Sequence, residues 1–196
     1  MTSRVTFVSP ATSSSLRQAR FYDGDSIDDV GAARARSAAG SLPSAARVLT
    51  SPSVRCRETA AALGLDGAEA PELAGLDVGR WRGRTLDEVG AAEPKAVGRW
   101  LADPDWAAHG GESVQHVCER VGRWLDIARD TDGRTLVVVE PEVARAAVVH
   151  VLGLPTAAFW RLDVPPLTAM ELSGRAGRWN LRLGQPLNPS DSASAI

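Results

Sequence analysis

The chain alternates short, wholly apolar runs with longer stretches whose apolar residues recur every three to four positions. Val5–Val8 and Thr135–Val139 are continuous runs rich in β-branched residues, the pattern of strands buried on both faces of a parallel sheet. Arg47–Leu49 predicts another strand. Residues 112–130 form the clearest helix, with Val114, Val117, Val121, Trp124, Leu125 and Ala128 on one face. Further helices are predicted at Ile27–Leu42, with Asp25 or Ser26 as cap, and at Ser51–Leu63, with Pro52 early and Gly64 at the end. Pro94–Leu101 and Pro141–Leu152 follow the same signals, the second closed by Gly153 and Pro155. Leu86–Val89 is a short helix at best, residues 14–22 are a helix or an ordered loop, and 66–84 are Gly-rich and irregular. Leu167–Leu172 and Arg178–Leu183 flank Gly174 and Gly177 and predict a terminal hairpin. Strands alternating with long helices imply an α/β three-layer sandwich, a mostly parallel central sheet flanked by helices. One domain is expected over 1–184, with a polar, Ser-rich and disordered tail at 185–196.

Composition narrows the function classes. A chain of 196 residues fits one domain that buries roughly two-thirds of its unfolded surface. The formal net charge is -2, so no overall basic excess points to nucleic acid. No stretch approaches the ~20 apolar residues of a membrane span, and the N-terminus enters a strand at once. A cytoplasmic protein without a membrane partner is the expectation. Cys56 and Cys118 are too few for a disulfide framework and are expected to be reduced, buried thiols. His109, His116 and His150 share no metal-ligand spacing, so neither metal nor cofactor is expected.

Five segments carry a pattern. Val5-Thr-Phe-Val-Ser-Pro-Ala-Thr-Ser13 is a strand running into a loop. Thr50-Ser-Pro-Ser-Val-Arg-Cys-Arg-Glu-Thr-Ala60 opens a helix. Leu73-Ala-Gly-Leu-Asp-Val-Gly-Arg-Trp-Arg-Gly83 is followed by Gly110-Gly-Glu-Ser113. Leu136-Val-Val-Val-Glu-Pro-Glu-Val-Ala-Arg145 is a second strand and loop. In this order they resemble the histidine phosphatase (phosphoglycerate mutase-like) superfamily. Its corresponding motifs are R-H-G-x-T, S-P-L-x-R-A-x-Q-T-A, L-x-E-x-D-x-G-x-W-E-G, G-G-E-S and H-P-x-V-I-R. The resemblance spans roughly residues 4–183. It implies a phosphate pocket at the C-terminal ends of the strands, where open α/β sheets bind ligands.

The resemblance also implies that the chemistry of that pocket is gone. The nucleophilic histidine falls on Pro10, the arginine before it on Ser9, and the glycine after it on Ala11. Proline can neither be phosphorylated nor relay a proton. The second histidine falls on Glu140, whose carboxylate repels a phosphate dianion, and Glu142 adds charge to the same loop. The leaving-group acid falls on Gly75, with Asp77 a poor substitute two residues on. Arg55 matches the phosphate-binding arginine, Arg145 a structural arginine near the pocket, and Glu112 and Ser113 the start of the G-G-E-S helix. No catalytic residues are therefore expected. The remnant pocket comprises Ser9, Arg55, Glu112, Ser113, Glu140, Glu142 and Arg145.

Alternatives stay open at several positions. Arg55 either binds an anion or pairs with Glu140 or Glu142. Glu140 is either half of that pair or a general base in altered chemistry. His109 is a loop histidine or a stand-in nucleophile. Trp81, Trp100, Trp106 and Trp124 line a cleft or partner surface, or belong to the core. The functional expectation is a degenerate member acting as a binding, regulatory or scaffolding protein, with an unknown small anionic ligand or protein as partner. The alternatives are an enzyme repurposed around Glu140 and a residual phosphatase or phosphoglycerate mutase-like hydrolase.

Overall fold

A computed structural model describes residues 3–107, 109–175 and 178–188. The sheet has six strands: β1 (Ser3–Val8), β2 (Arg47–Thr50), β3 (Ala68–Glu69), β4 (Gly133–Val138), β5 (Thr168–Arg175) and β6 (Arg178–Pro186). Their order is β3-β2-β4-β1-β5-β6. The first four in that order are parallel, while β5 runs antiparallel to β1 and β6 antiparallel to β5. The sandwich expected from the sequence is the one observed.

The described residues also form seven α-helices, α1 (Ser14–Arg17), α2 (Asp29–Ser37), α3 (Val54–Ala62), α4 (Leu86–Ala92), α5 (Pro94–Ala102), α6 (Val114–Arg129) and α7 (Pro141–Leu152), and three short 3-10 helices. The apolar face of α6 packs with α7 against one side of the sheet, around Phe7, Val137, Val139 and Leu172. Gly122 makes that crossing possible, because a Cβ there would stand 2.6 Å from His150 Nδ1. Ala35 and Ala38, in and just after α2, join Cys56 and Ala60 of α3 against Val8, Leu136 and Val138 on the other side. A third cluster gathers Trp81, Trp100, Trp106 and Trp160 with Phe21 under α4 and α5. Trp124 sits edge-on to Phe7 in the first core. The tryptophans are packing residues.

Several boundaries differ from expectation for local reasons. Ile27 bridges to Ser13 in extended form, so α2 begins later, with the Asp28 side chain accepting from Gly31 N. The two-residue strand β3 is too short to carry a periodic signal. Ser53 rather than Ser51 caps α3, and Gly153 closes α7 in a left-handed conformation. The hairpin strands extend past their predicted ends, β6 as far as Pro186, two residues beyond the expected domain limit. Residues 189–196, most of the predicted tail, lie outside the described residues. Among the described residues no helix is long and apolar enough to cross a membrane.

Candidate functional site

The C-terminal ends of β1, β2 and β4 converge below a cleft of about 750 Å³. Its walls come from α1 and the turn after it, the loop after β2, residues 74–78, the start of α7, and residues 163–166. Arg55, in the first turn of α3, projects onto its floor. Glu140 precedes α7, and its side chain turns away from the helix end and makes no capping bond.

These two side chains meet in a buried ion pair. Arg55 Nε donates to both carboxylate oxygens of Glu140 at 2.9 Å, and Nη2 donates to Oε2. The paired side chains are only 9% and 3% exposed. Burial alone pulls the guanidinium pKa down, but the hydrogen bonds and charge of Glu140 outweigh it and hold it above its ordinary value. Tyr22 covers the guanidinium with its ring, 4.5 Å from Arg55 Cζ, while its hydroxyl accepts from Val54 N. Thr59 ties this corner to the β1 loop: its hydroxyl donates to Arg55 O and accepts from Ala11 N. Of the two carboxylates the sequence offered to Arg55, the guanidinium pairs with Glu140.

Gly75 explains why Glu140 fits. A Cβ at Gly75 would lie 2.9 Å from Glu140 Cγ and 3.3 Å from its Cβ. The missing side chain at 75 is the space the Glu140 chain occupies. The three residues form one steric and electrostatic unit.

The other predicted residues divide. Glu142 and Arg145 line the cleft with Arg55 and Glu140. Burial, then the charge of Glu140, raises the Glu142 pKa, against the lowering effect of Arg55 and of a hydrogen bond from its own backbone N–H. Arg145 donates Nε to Leu162 O at 2.8 Å and faces Trp160, a structural role. Asp77 lies at the rim, accepting from Gly79 N and pairing with Arg82.

Ser9, Glu112 and Ser113 do not line this cleft. Ser9 Oγ donates to Pro165 O and accepts from Thr168 N, locking the β1 loop to β5. Pro10 is buried, and its carbonyl accepts from Leu167 N. Glu112 pairs with Arg120 beside a neighbouring hollow. Ser113 caps α6 by accepting from His116 N. His109 is held away from the cleft lining among Trp81 and Trp106. Its Nδ1 accepts from Gly111 N, and burial lowers its pKa. Tyr22, Thr59 and the space above Gly75 are what sequence reasoning missed; Tyr22 is the single tyrosine of the chain, the one available signal.

The cleft is electrically balanced. Arg20, Arg55, Arg82 and Arg145 face Asp77, Glu140, Glu142 and Asp163, four formal charges of each sign. Both cysteines are buried; burial pushes the Cys118 thiol up to about 11 and Cys56 well above its ordinary value, which leaves neither reactive near neutral pH. No group of acidic, histidine and cysteine side chains among the described residues suits a metal.

Strand order, the flanking helix layers and a cleft above the strand ends define a three-layer α/β domain with its site at the carboxyl edge of the sheet. The chain belongs to the histidine phosphatase superfamily (branch 1), whose profile matches residues 17–185. That match begins beyond β1 and the Pro10 loop. The chain is 35% identical over 135 residues to a bifunctional protein of Mycobacterium tuberculosis, covering 63% of this chain and 37% of that protein. It is 35% identical over 115 residues to a glucosyl-3-phosphoglycerate phosphatase of Mycolicibacterium vanbaalenii, covering 52% and 51%. It thus spans about half or less of these relatives' length. A solved mycobacterial glucosyl-3-phosphoglycerate phosphatase superposes with a TM-score of 0.81 at 22% identity, over 96% of this chain and 100% of that one; at that identity the likeness concerns the fold.

Proposed function

We propose that this chain is a non-catalytic member of its superfamily, a cytoplasmic binding, regulatory or scaffolding protein that keeps the cleft and has given up phosphoryl transfer. The observation that carries this reading is the buried Arg55–Glu140 pair. In this reading Arg55 is the cation that would grip a phosphoryl group, and its donors are already directed at an internal carboxylate. A dianion approaching the floor meets Glu140 and Glu142. At about 4 Å each like-charge pair costs about 4 kcal/mol in a surface-like dielectric. Pro10 supplies no nucleophile, and Gly75 no leaving-group acid.

The alternatives draw less support. A general base must reach the substrate's proton, whereas the Glu140 carboxylate is turned onto Arg55 and only 3% exposed. A stand-in nucleophile at His109 needs near contact with the bound phosphoryl group, and His109 is engaged among the tryptophans instead. The test is a hydrolysis assay on p-nitrophenyl phosphate, phosphoserine and glucosyl-3-phosphoglycerate, the last two taken from the names of relatives. The expected result is no turnover above that of an Arg55→Ala variant. Turnover that the variant abolishes would overturn the reading.

A further inference from the structure

We infer that the open half of the sheet's outer face, at the end opposite the cleft, docks the phosphate backbone of nucleic acid. The α2–α3 layer covers the row formed by Val138, Val8 and Ala169. Towards the start of the parallel strands, the same face becomes polar. The register places Arg134, Arg4, Ser173 and Asn180 in one row across β4, β1, β5 and β6. Thr6, Glu171 and Arg182 form the next row, and Arg175 faces Arg178 at the hairpin end. Side chains alternate along a strand, so these residues share one face, while Leu172, Gly174 and Trp179 between them are buried on the other.

Five arginines therefore share a face with one carboxylate. Arg134 is committed to Glu171 and to Thr6 Oγ1. Arg4, Arg175, Arg178 and Arg182 are exposed and have no acidic partner among the described residues. A hollow of about 670 Å³, lined by Arg4, Thr6, Arg134, Glu171 and Arg182 together with Ala169 and residues 40–43 and 185–188, gives the strip a concave end. The face carries a formal charge of +4 in a chain of -2, so all other residues together sum to -6. Net charge averages over this segregation, which is why the composition argued against nucleic acid.

Charges on β6 also discourage edge-to-edge pairing, but that does not account for Arg4, on the interior strand β1. On β4 the second row continues from Thr6 into Leu136, which is buried in the cluster under α2 and α3; the exposed positions of the rows hold no aliphatic or aromatic side chain, and protein partners generally need such an anchor. Nucleic-acid interfaces are more polar and more cationic, and guanidinium forks fit phosphate oxygens. Without rings for base stacking the contact is to the backbone and indifferent to sequence.

The test is fluorescence anisotropy with a labelled 20-nucleotide single strand and the matching duplex, across a salt series. Weak binding is expected, in the range of about 10⁻⁴ to 10⁻⁶ M. With four free arginines the log–log salt slope should be about -3. Arg4→Ser/Arg178→Ser/Arg182→Ser should reduce the slope to about -1 and the affinity more than tenfold at low salt. If that variant does not fold, Arg178→Ser alone should still remove about 0.7 from the slope. A preference between strand and duplex would identify the form bound. No binding at low salt, binding unchanged in the folded variants, or equal binding of polyglutamate would overturn the proposal.

Discussion

The segment 74–83 meets its surroundings in two different ways. At Gly79 and at Gly111 opposite, backbone meets backbone: a Cβ would stand 2.3 Å from His109 O and 2.0 Å from Asp77 O, respectively. At Gly75 the nearest atoms a Cβ would meet all belong to the Glu140 side chain. The first two glycines lie in the D-x-G-x-W and G-G-E-S segments and are required by the chain path itself, whatever the cleft does. The third is required only because Glu140 is there. Fold-setting and chemistry-bearing positions are thus interleaved along one loop. They respond to different constraints, the first to the path of the chain and the second to the side chains on the cleft floor.

The largest effect should come from breaking the ion pair on the cleft floor. Glu140→Ala leaves Arg55 buried without its counter-charge and should cost about 3–5 kcal/mol in urea unfolding, whereas Arg55→Met/Glu140→Leu should recover most of that. A cost below about 1 kcal/mol for the single change would mean the pair is solvated and not part of the core.

Gly111→Ala comes next. Its Cβ must displace a carbonyl rather than a side chain, so about 3 kcal/mol is expected from the same unfolding measurement. Gly75→Ala should cost less, about 1–2 kcal/mol, because Glu140 can shift. Its cost should nearly vanish in a Glu140→Ala background, a coupling that a double-mutant cycle reads directly. If the costs simply add, Gly75 and Glu140 are not one unit.

The smallest effect is a pH dependence. The folded-state pKa of Glu142 is raised above its ordinary 4.5 by burial and by Glu140, so the native state holds its proton to higher pH than the unfolded chain does. Stability linked to this group should fall as pH rises from 4.5 through the folded pKa and level off above it. Glu142→Gln should flatten that decline in thermal melts taken across the range. An unchanged slope would assign the decline to other groups.

Most of the architecture was legible because it rests on period and punctuation. The apolar runs of β1 and β4, the α6 face, and Gly153 after α7 each carry a local signal that tertiary contacts do not override. Element starts were less legible where a long-range contact decides them, as when Ile27 is drawn into a bridge with Ser13. At the site, the motif spacing pointed to Arg55, Glu140, Glu142 and Arg145, which the structure brings to one cleft. It could not choose between Glu140 and Glu142 as partner of Arg55, because that choice depends on the volume left open at Gly75. Nor could it see that Ser9 spends its hydroxyl on the backbone; for Ser113, capping and lining the site were both open, and its hydroxyl caps α6. The arginine strip was hidden for the same kind of reason: Arg4, Arg134 and Arg182 become neighbours only through strand register.

The central claim is that Arg55 is spent on Glu140 and cannot grip a phosphoryl group. Calorimetric titration of the intact chain with orthovanadate, beside Arg55→Ala, tests it most directly. The account predicts no saturable heat in either protein up to millimolar vanadate. Saturable binding by the parent chain that Arg55→Ala removes would contradict it, and would show that the anion pocket still works.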